Sequence, residues 1–288
     1  MELTTFQPVM TGQKTNPVLR ALVYVILIVW AVVSLFPIYW MLTFSLKNNA
    51  EIFGENPIGI PGEFRFSNYS MVFSKDALAR YFLNSVLVTG GTIILVIMTA
   101  AMATYAMLRM EWRLRGPAMS LLMLGLMIPI HAALLPVFVM MRRLHILNTL
   151  WALIIPYTAF SIPMGIMIFS GFMNSIPREL EEAACIDGCN IYRIFFRIVF
   201  PLLRPAVATI TIFTFLQSWN ELMFAVVFIS RDSLKTLTVG IQAMSGRYLT
   251  EWGPIGAALV VATIPTLLIY LFLSNQVQKS FIAGAIKG

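Results

Sequence analysis

The residues of this chain able to do chemistry are few, and one run of them sits where polar groups are costly. Gln217, Ser218, Trp219, Asn220 and Glu221 follow one another inside a long apolar stretch. A carboxyl group there is expensive to place against lipid, so Glu221 must face protein or water. It can act as a structural hydrogen-bond or ion-pair partner, or as a site on a polar path. His131, midway along another apolar stretch, poses the same choice between path ligand and satisfied packing residue. Gln217, Trp219 and Asn220 join these two as path candidates. Cys185 and Cys189 have a spacing that could suit a metal, but no other ligand cluster lies near, so no metal site is expected. With only 2 histidines, no triad, zinc cluster or acid–base pair can be assembled, and no catalytic residue is assigned. No Gly-x-x-x-x-Gly-Lys-Ser/Thr loop occurs, so ATP binding by that device is excluded and the chain is not expected to be an enzyme.

A second group of ionisable residues lies between apolar stretches, in Ser175–Pro205. Glu179, Glu181, Glu182 and Asp187 are four of only 13 acidic residues in the chain. Pro177 suits the first turn of a helix, where its missing N–H has no partner to lose. The acids that follow favour the positive end of that helix. Leu180, Ala183, Ala184 and Asp187 fall on neighbouring helical positions, giving a small face suited to close approach. Gly188 can take the left-handed conformation that ends the helix. A second helix is expected from about Ile191, with Ile191, Phe195, Ile198 and Val199 as its apolar stripe, until Pro201 stops it. A helix, a glycine turn and a helix held in water between membrane spans form an element suited to docking.

The elements that must position these groups are membrane helices. The chain is 59% hydrophobic and 11% charged, against roughly 25% charge in an average soluble domain. Apolar runs of about 20 residues read as spans, and six are expected, at about 21–45, 83–107, 117–140, 149–172, 205–229 and 255–274. The polar first twenty residues and the long run after them argue against a cleavable signal, so the first span is expected to be retained. Pro129 and Pro136, Pro156 and Pro163, Pro265 and Gly90-Gly91 are expected to interrupt their spans. A weak excess of Lys and Arg places both termini in the cytoplasm. The net charge of +7 then belongs to loop arginines, and no nucleic-acid partner is expected. The connectors at about 46–82 and 230–254 fall outside; either can contact a delivering protein or simply be solvated.

Glu182-Ala183-Ala184, Asp187-Gly188 and Ile198-x-x-Pro201-Leu202-x-x-x-Pro205 resemble the EAA loop of ABC-importer permease subunits. In that family the loop carries a coupling helix seated in a cleft of the ATP-binding subunit. Trp219-Asn220-Glu221, Leu147-Asn148-Thr149 and the tail Phe281 to Gly288 resemble elements of the carbohydrate-type permeases, specifically the second permease subunit of maltose- and glycerol-phosphate-type importers. The resemblance implies an all-α integral membrane protein with six transmembrane helices and a cytoplasmic coupling-helix loop between helices 4 and 5. Its implied organisation is a cytoplasmic segment 1–20, a first span 21–45, an extracytoplasmic segment 46–82, a permease core 83–274 with the EAA loop at 175–205, and a cytoplasmic tail 275–288. The cysteines flanking Asp187-Gly188 depart from the family, which more often has small non-thiol residues there; in the cytoplasm no disulfide is expected.

The resemblance further implies a multi-pass protein of a bacterial-type inner membrane. Its partners would be a second homologous permease, two ATP-binding subunits, an extracytoplasmic substrate-binding protein, a sugar substrate and membrane lipid. ATP and Mg would be used by the partner subunits, and no cofactor would be held by this chain. Glu179, Glu182, Ala183, Ala184, Asp187, Gly188 and Pro201 would couple to the ATPase. Phe281, Gly284, Lys287 and Gly288 would reach the ATPase interface. The competing expectation is an ion-coupled secondary transporter with Glu221 as its proton or cation site.

Overall fold

The computed structural model describes residues 17–73, 77–246 and 250–285, with Glu55 and residues 275–285 described by backbone alone. The described residues are helical, with no strand among them. Helix α1, Pro17–Ser45, is apolar all round and outward-facing over most of its length, as a helix solvated by lipid tails should be. Its carboxyl-terminal end is fixed by polar contacts: Asn68, in the short helix α2 (Ser67–Phe73), donates to the carbonyls of Ser45 and Lys47. Lys47 is fully enclosed and donates to the Asn56 carbonyl. The connector at 46–82 is therefore partly built into the fold.

Helix α3, Ala77–Arg109, packs along α6, Trp151–Met173. The α3 face is small or hydroxylated: Val88, Thr92, Val96, Ala100 and Thr104 recur at the helical repeat and are buried. Thr92 and Thr104 return their hydroxyls to the carbonyls of Val88 and Ala100, so neither hydroxyl is left unpaired. A Cβ on Gly165 would stand 2.8 Å from that of Ala100, so the two backbones approach as closely as small residues permit.

Proline has unequal effects. Between these helices, α4 (Arg115–Leu124) and α5 (Leu134–Arg143) belong to a pair bent by 97° around Pro129, where the expected third span is straight but for kinks. Pro156 and Pro163 lie inside α6 without breaking it, and Gly90-Gly91 lie inside α3 likewise. Pro163 rests against Gly125, so neighbouring packing supports the helix there.

After α6 comes α7, Glu179–Ile186, the expected docking helix. Pro177 precedes its cap residue Arg178 rather than entering the first turn. The next helix runs through α8 (Ile191–Ile194), a π turn at Phe195–Val199 and α9 (Phe200–Leu202). It passes Pro201 by one residue before a 74° bend into α10, Arg204–Trp219. Ile194, Phe195 and Val199 form the buried stripe, with Ile198 partly buried against the same core, whereas Ile191 is exposed. The expected span 205–229 ends at Trp219, and α11, Met223–Phe228, restarts after a short break. The connector beyond includes a buried helix, α12 (Leu237–Ala243), packed on α3 and α13. Helix α13, Trp252–Ala285, contains Pro265 unbroken and closes the described chain. Among the described residues, four helices are long and apolar enough to cross a membrane, or up to six if each bent pair is one span.

Candidate coupling and pathway sites

The helix–turn–helix expected to dock follows its local sequence, with a different inner face. Three acids, Glu179, Glu181 and Glu182, occupy the first turn of α7, where unpaired N–H groups favour negative charge. Gly188 has φ +79°. The turn donates from the Gly188 N–H to the Cys185 carbonyl at 3.0 Å and from the Cys189 N–H to the Ala184 carbonyl at 2.9 Å. Asn190 then caps α8 by accepting from the Arg193 N–H at 2.9 Å.

Of the residues expected to couple, Glu179, Glu182, Ala183, Asp187 and Gly188 are exposed, Ala184 is buried in the core and Pro201 is half-buried. The outward face also carries two apolar side chains, Leu180 at 45% and Ile186 at 88% exposure. Ile186 was not singled out from sequence, although its place one turn after Glu182 could have marked it. Cys185 is exposed and Cys189 intermediate, both as free thiols.

The inner side of α7 is fastened by residues that no motif marks. Arg109, the last residue of α3, approaches Glu181 with Nε 3.0 Å from Oε1. Neither atom completes a directed hydrogen bond there, so the contact is Coulombic. The same guanidinium donates through Nη2 to the carbonyls of Met173 and Ile176 at 2.8 and 2.6 Å. Tyr105 donates to the other Glu181 oxygen at 2.9 Å, and its ring meets Phe195 of the π turn.

The second site lies at the break between α10 and α11. Glu221 is buried, and its carboxylate accepts from the N–H groups of Phe224 at 2.9 Å and Ala225 at 3.2 Å. The Tyr157 hydroxyl of α6 donates to it through a short hydrogen bond. Its own carbonyl accepts from Thr238 of α12 at 3.0 Å. Glu221 thus satisfies the first turn of α11 and ties three helices together at a broken span, where freed backbone groups need internal partners.

Beside it is a cavity of about 530 Å³ lined by Trp219, Asn220, Thr238, Gln242, Thr263 and Thr266 among others. The Trp219 indole donates to the Ala262 carbonyl at 3.0 Å, fixing the ring between α10 and α13. Thr263 stands about 16 Å along α13 from Trp252, near half of a roughly 30 Å hydrocarbon core. Gln217 is exposed and lies 3.4 Å from the Ser161 hydroxyl, on a separate narrow groove between α6 and α10. His131 is exposed in the short turn that follows Pro129. The structure therefore brings Trp219 and Asn220 to one cavity with Glu221 behind them, and leaves Gln217 and His131 elsewhere. Phe281 and Gly284 fall on the backbone of α13, while Lys287 and Gly288 lie outside the described residues.

Comparison with known proteins agrees with this architecture. The family described as "Binding-protein-dependent transport system inner membrane component" matches residues 93–282. A putative ABC transporter permease from Caldicellulosiruptor sp. (strain Rt8B.4) is 36% identical over 92% of this chain and 96% of its own length. The sulfoquinovosyl glycerol transport system permease SmoH of Agrobacterium fabrum is also 36% identical, over 88% of this chain and 90% of its own. The melibiose/raffinose/stachyose import permease MelC of Bacillus subtilis is 33% identical, over 88% and 91%. Among solved structures, a bacterial ABC transporter that imports the acidic polysaccharide alginate superposes with TM-score 0.80 at 22% identity, covering 94% of this chain and 99% of that one. The chain belongs to the inner-membrane components of binding-protein-dependent transport systems, and is a permease subunit of an ABC importer.

Proposed function

We propose that the chain carries a sugar or oligosaccharide across a bacterial inner membrane as one of two homologous permeases. It crosses six times, with each bent pair counted as one span and both termini cytoplasmic. Two ATP-binding subunits hold ATP and Mg; this chain supplies their docking helix and holds neither. An extracytoplasmic binding protein delivers the substrate. The observation that carries the reading is α7, a short helix outside the spans. It presents Glu179, Leu180, Glu182 and Ile186 outward and is anchored inward. The relatives named for melibiose, sulfoquinovosyl glycerol and alginate support a carbohydrate cargo. The cavity beside Trp219 offers what a sugar needs: an aromatic ring and several hydroxyl and amide groups.

In this reading ATP-driven closure of the two ATPases brings the docking helices together, and rigid-body motion turns the path from inward-open to outward-open. The tail 281–288 reaches the ATPase interface. Glu221 serves the architecture of the broken span, which disfavours an ion-coupled transporter built on it. The test is a mild-detergent pull-down of the tagged chain with an ATPase assay, repeated with Glu182→Lys. Recovery of an ATP-binding subunit and a second permease, with transport lost in the variant, is expected. A lone chain that transports in liposomes without ATP overturns the proposal.

A further inference from the structure

The ionic contact behind α7 has a geometry that ordinary packing does not require. Three helix ends meet at Arg109: the end of α3, to which it belongs, the end of α6, whose last carbonyl, Met173, it holds together with that of Ile176 just beyond, and the first turn of α7 through Glu181. The ends of α3 and α6 are negative poles and the start of α7 is a positive pole. A cation shared by the first two and a carboxylate on the third is the charge arrangement that binds all three. Both partners are largely shielded, with side-chain exposures of 9% and 13%, so solvent screens the contact weakly. A third link is independent of the pair: the Arg178 guanidinium, just before α7, donates to the Leu108 carbonyl at 3.2 Å. Tyr105 completes the set by holding the free Glu181 oxygen.

From this we infer that Arg109 and Glu181, with Tyr105, are positioning residues that transmit displacement of the docking helix to the α3–α6 pair. The outer face of α7 receives the load; its inner face passes the load to α3 and α6, which share the close small-residue interface at Gly165 and Ala100. Helix α6 also carries Tyr157, which holds Glu221 and so the base of the polar cavity. A continuous set of contacts therefore runs from the aqueous docking helix to that cavity. Without the ionic joint, α7 would still be covalently attached and its outer face intact, but it could shift relative to the spans. Docking and transmission are thus assigned to opposite faces of one helix.

The inference rests on the importer reading, and the test separates the two. Complexes of the whole transporter carry Leu259→Cys as a thiol reporter in the cavity wall, with Cys185 and Cys189 replaced by Ser. Maleimide labelling rate is measured with and without ATP and vanadate, beside ATP hydrolysis. With Arg109 intact, nucleotide should change the labelling rate by about fivefold or more, the scale of an ordinary coupling between sites. Arg109→Gln should retain the ATPase subunits and hydrolyse ATP while this response falls below about twofold; Arg109→Lys, which keeps the charge, should recover part of it. The double variant Arg109→Gln/Glu181→Gln should lose no more than either single change. An undiminished response in Arg109→Gln overturns the inference, as does loss of the ATPase subunits together with the response. If the Arg109→Gln permease itself does not fold in the membrane, Tyr105→Phe decides, and a normal response there overturns it. A parent complex that retains no ATPase subunit sinks the importer reading instead, before any variant is compared.

Discussion

Replacing Glu221 separates a structural carboxylate from a transport site. Its two oxygens serve the Phe224 and Ala225 N–H groups and the Tyr157 hydroxyl. Glu221→Ala strands all three buried donors, at ~1–3 kcal/mol each. Relief from burying a carboxyl group offsets part of this, leaving a net loss of roughly 3–5 kcal/mol, the scale of breaking one side of a buried polar pair. Glu221→Gln keeps one acceptor oxygen but turns an amide N–H₂ towards donors, for a loss of about 1–3 kcal/mol. Tyr157→Phe removes one donor to a carboxylate, and should cost about 1.5–3 kcal/mol. The assay is thermal stability of the solubilised complex by fluorescence-detected gel filtration, alongside uptake in vesicles. The expected order of stability is parent, then Gln and Phe variants close together, then Ala, with uptake tracking the amount of folded complex. A Gln variant as stable as the parent yet devoid of transport would refute the reasoning, since only a role on the path explains that pattern.

Two other outcomes follow from the geometry. Gly188→Val places a β-branched residue at φ +79°, which should weaken the α7–α8 turn by about 1–2 kcal/mol and raise protease cleavage there while the spans stay intact. Asp232 is held below its ordinary value of 3.8 by hydrogen bonds from Lys235 and from Tyr81. A carboxylate with a depressed folded-state value stabilises fully above the unfolded value and loses that contribution as pH falls below it. Acid sensitivity of the outer connector should therefore set in below about pH 4 and be absent from Asp232→Asn, as followed by protease accessibility at graded pH.

The helix, glycine turn and helix of α7 and α8 were legible because their signals are local: three acids in one turn and a glycine within a few residues. The membrane class was equally open, since composition alone excludes a soluble core of this size. What stayed hidden depends on residues far apart in the chain. Tyr157 meets Glu221 across 64 positions and Tyr105 meets Glu181 across 76, and neither partner carries a pattern. The prolines show the same limit. Pro129 stands at a sharp bend whereas Pro163 lies in a continuous helix, because a tightly packed neighbour, Gly125, supports the second. Helix α12 escaped notice for a related reason: Leu237–Ala243 is too short to register as a periodic segment, and burial against α3 and α13 sustains it.

The length of α1 links this permease to the bilayer around it. Its 29 residues extend about 43 Å at 1.5 Å each, well beyond a hydrocarbon core of roughly 30 Å. The carboxyl-terminal end is fixed by Asn68 and by the buried Lys47, so the mismatch is left to tilting, protrusion or local thickening of the lipid. Acyl-chain length thereby becomes a variable of the transporter: short-chain bilayers would force α1 to lean further across α13, its main neighbour, and thicker ones would let it stand upright.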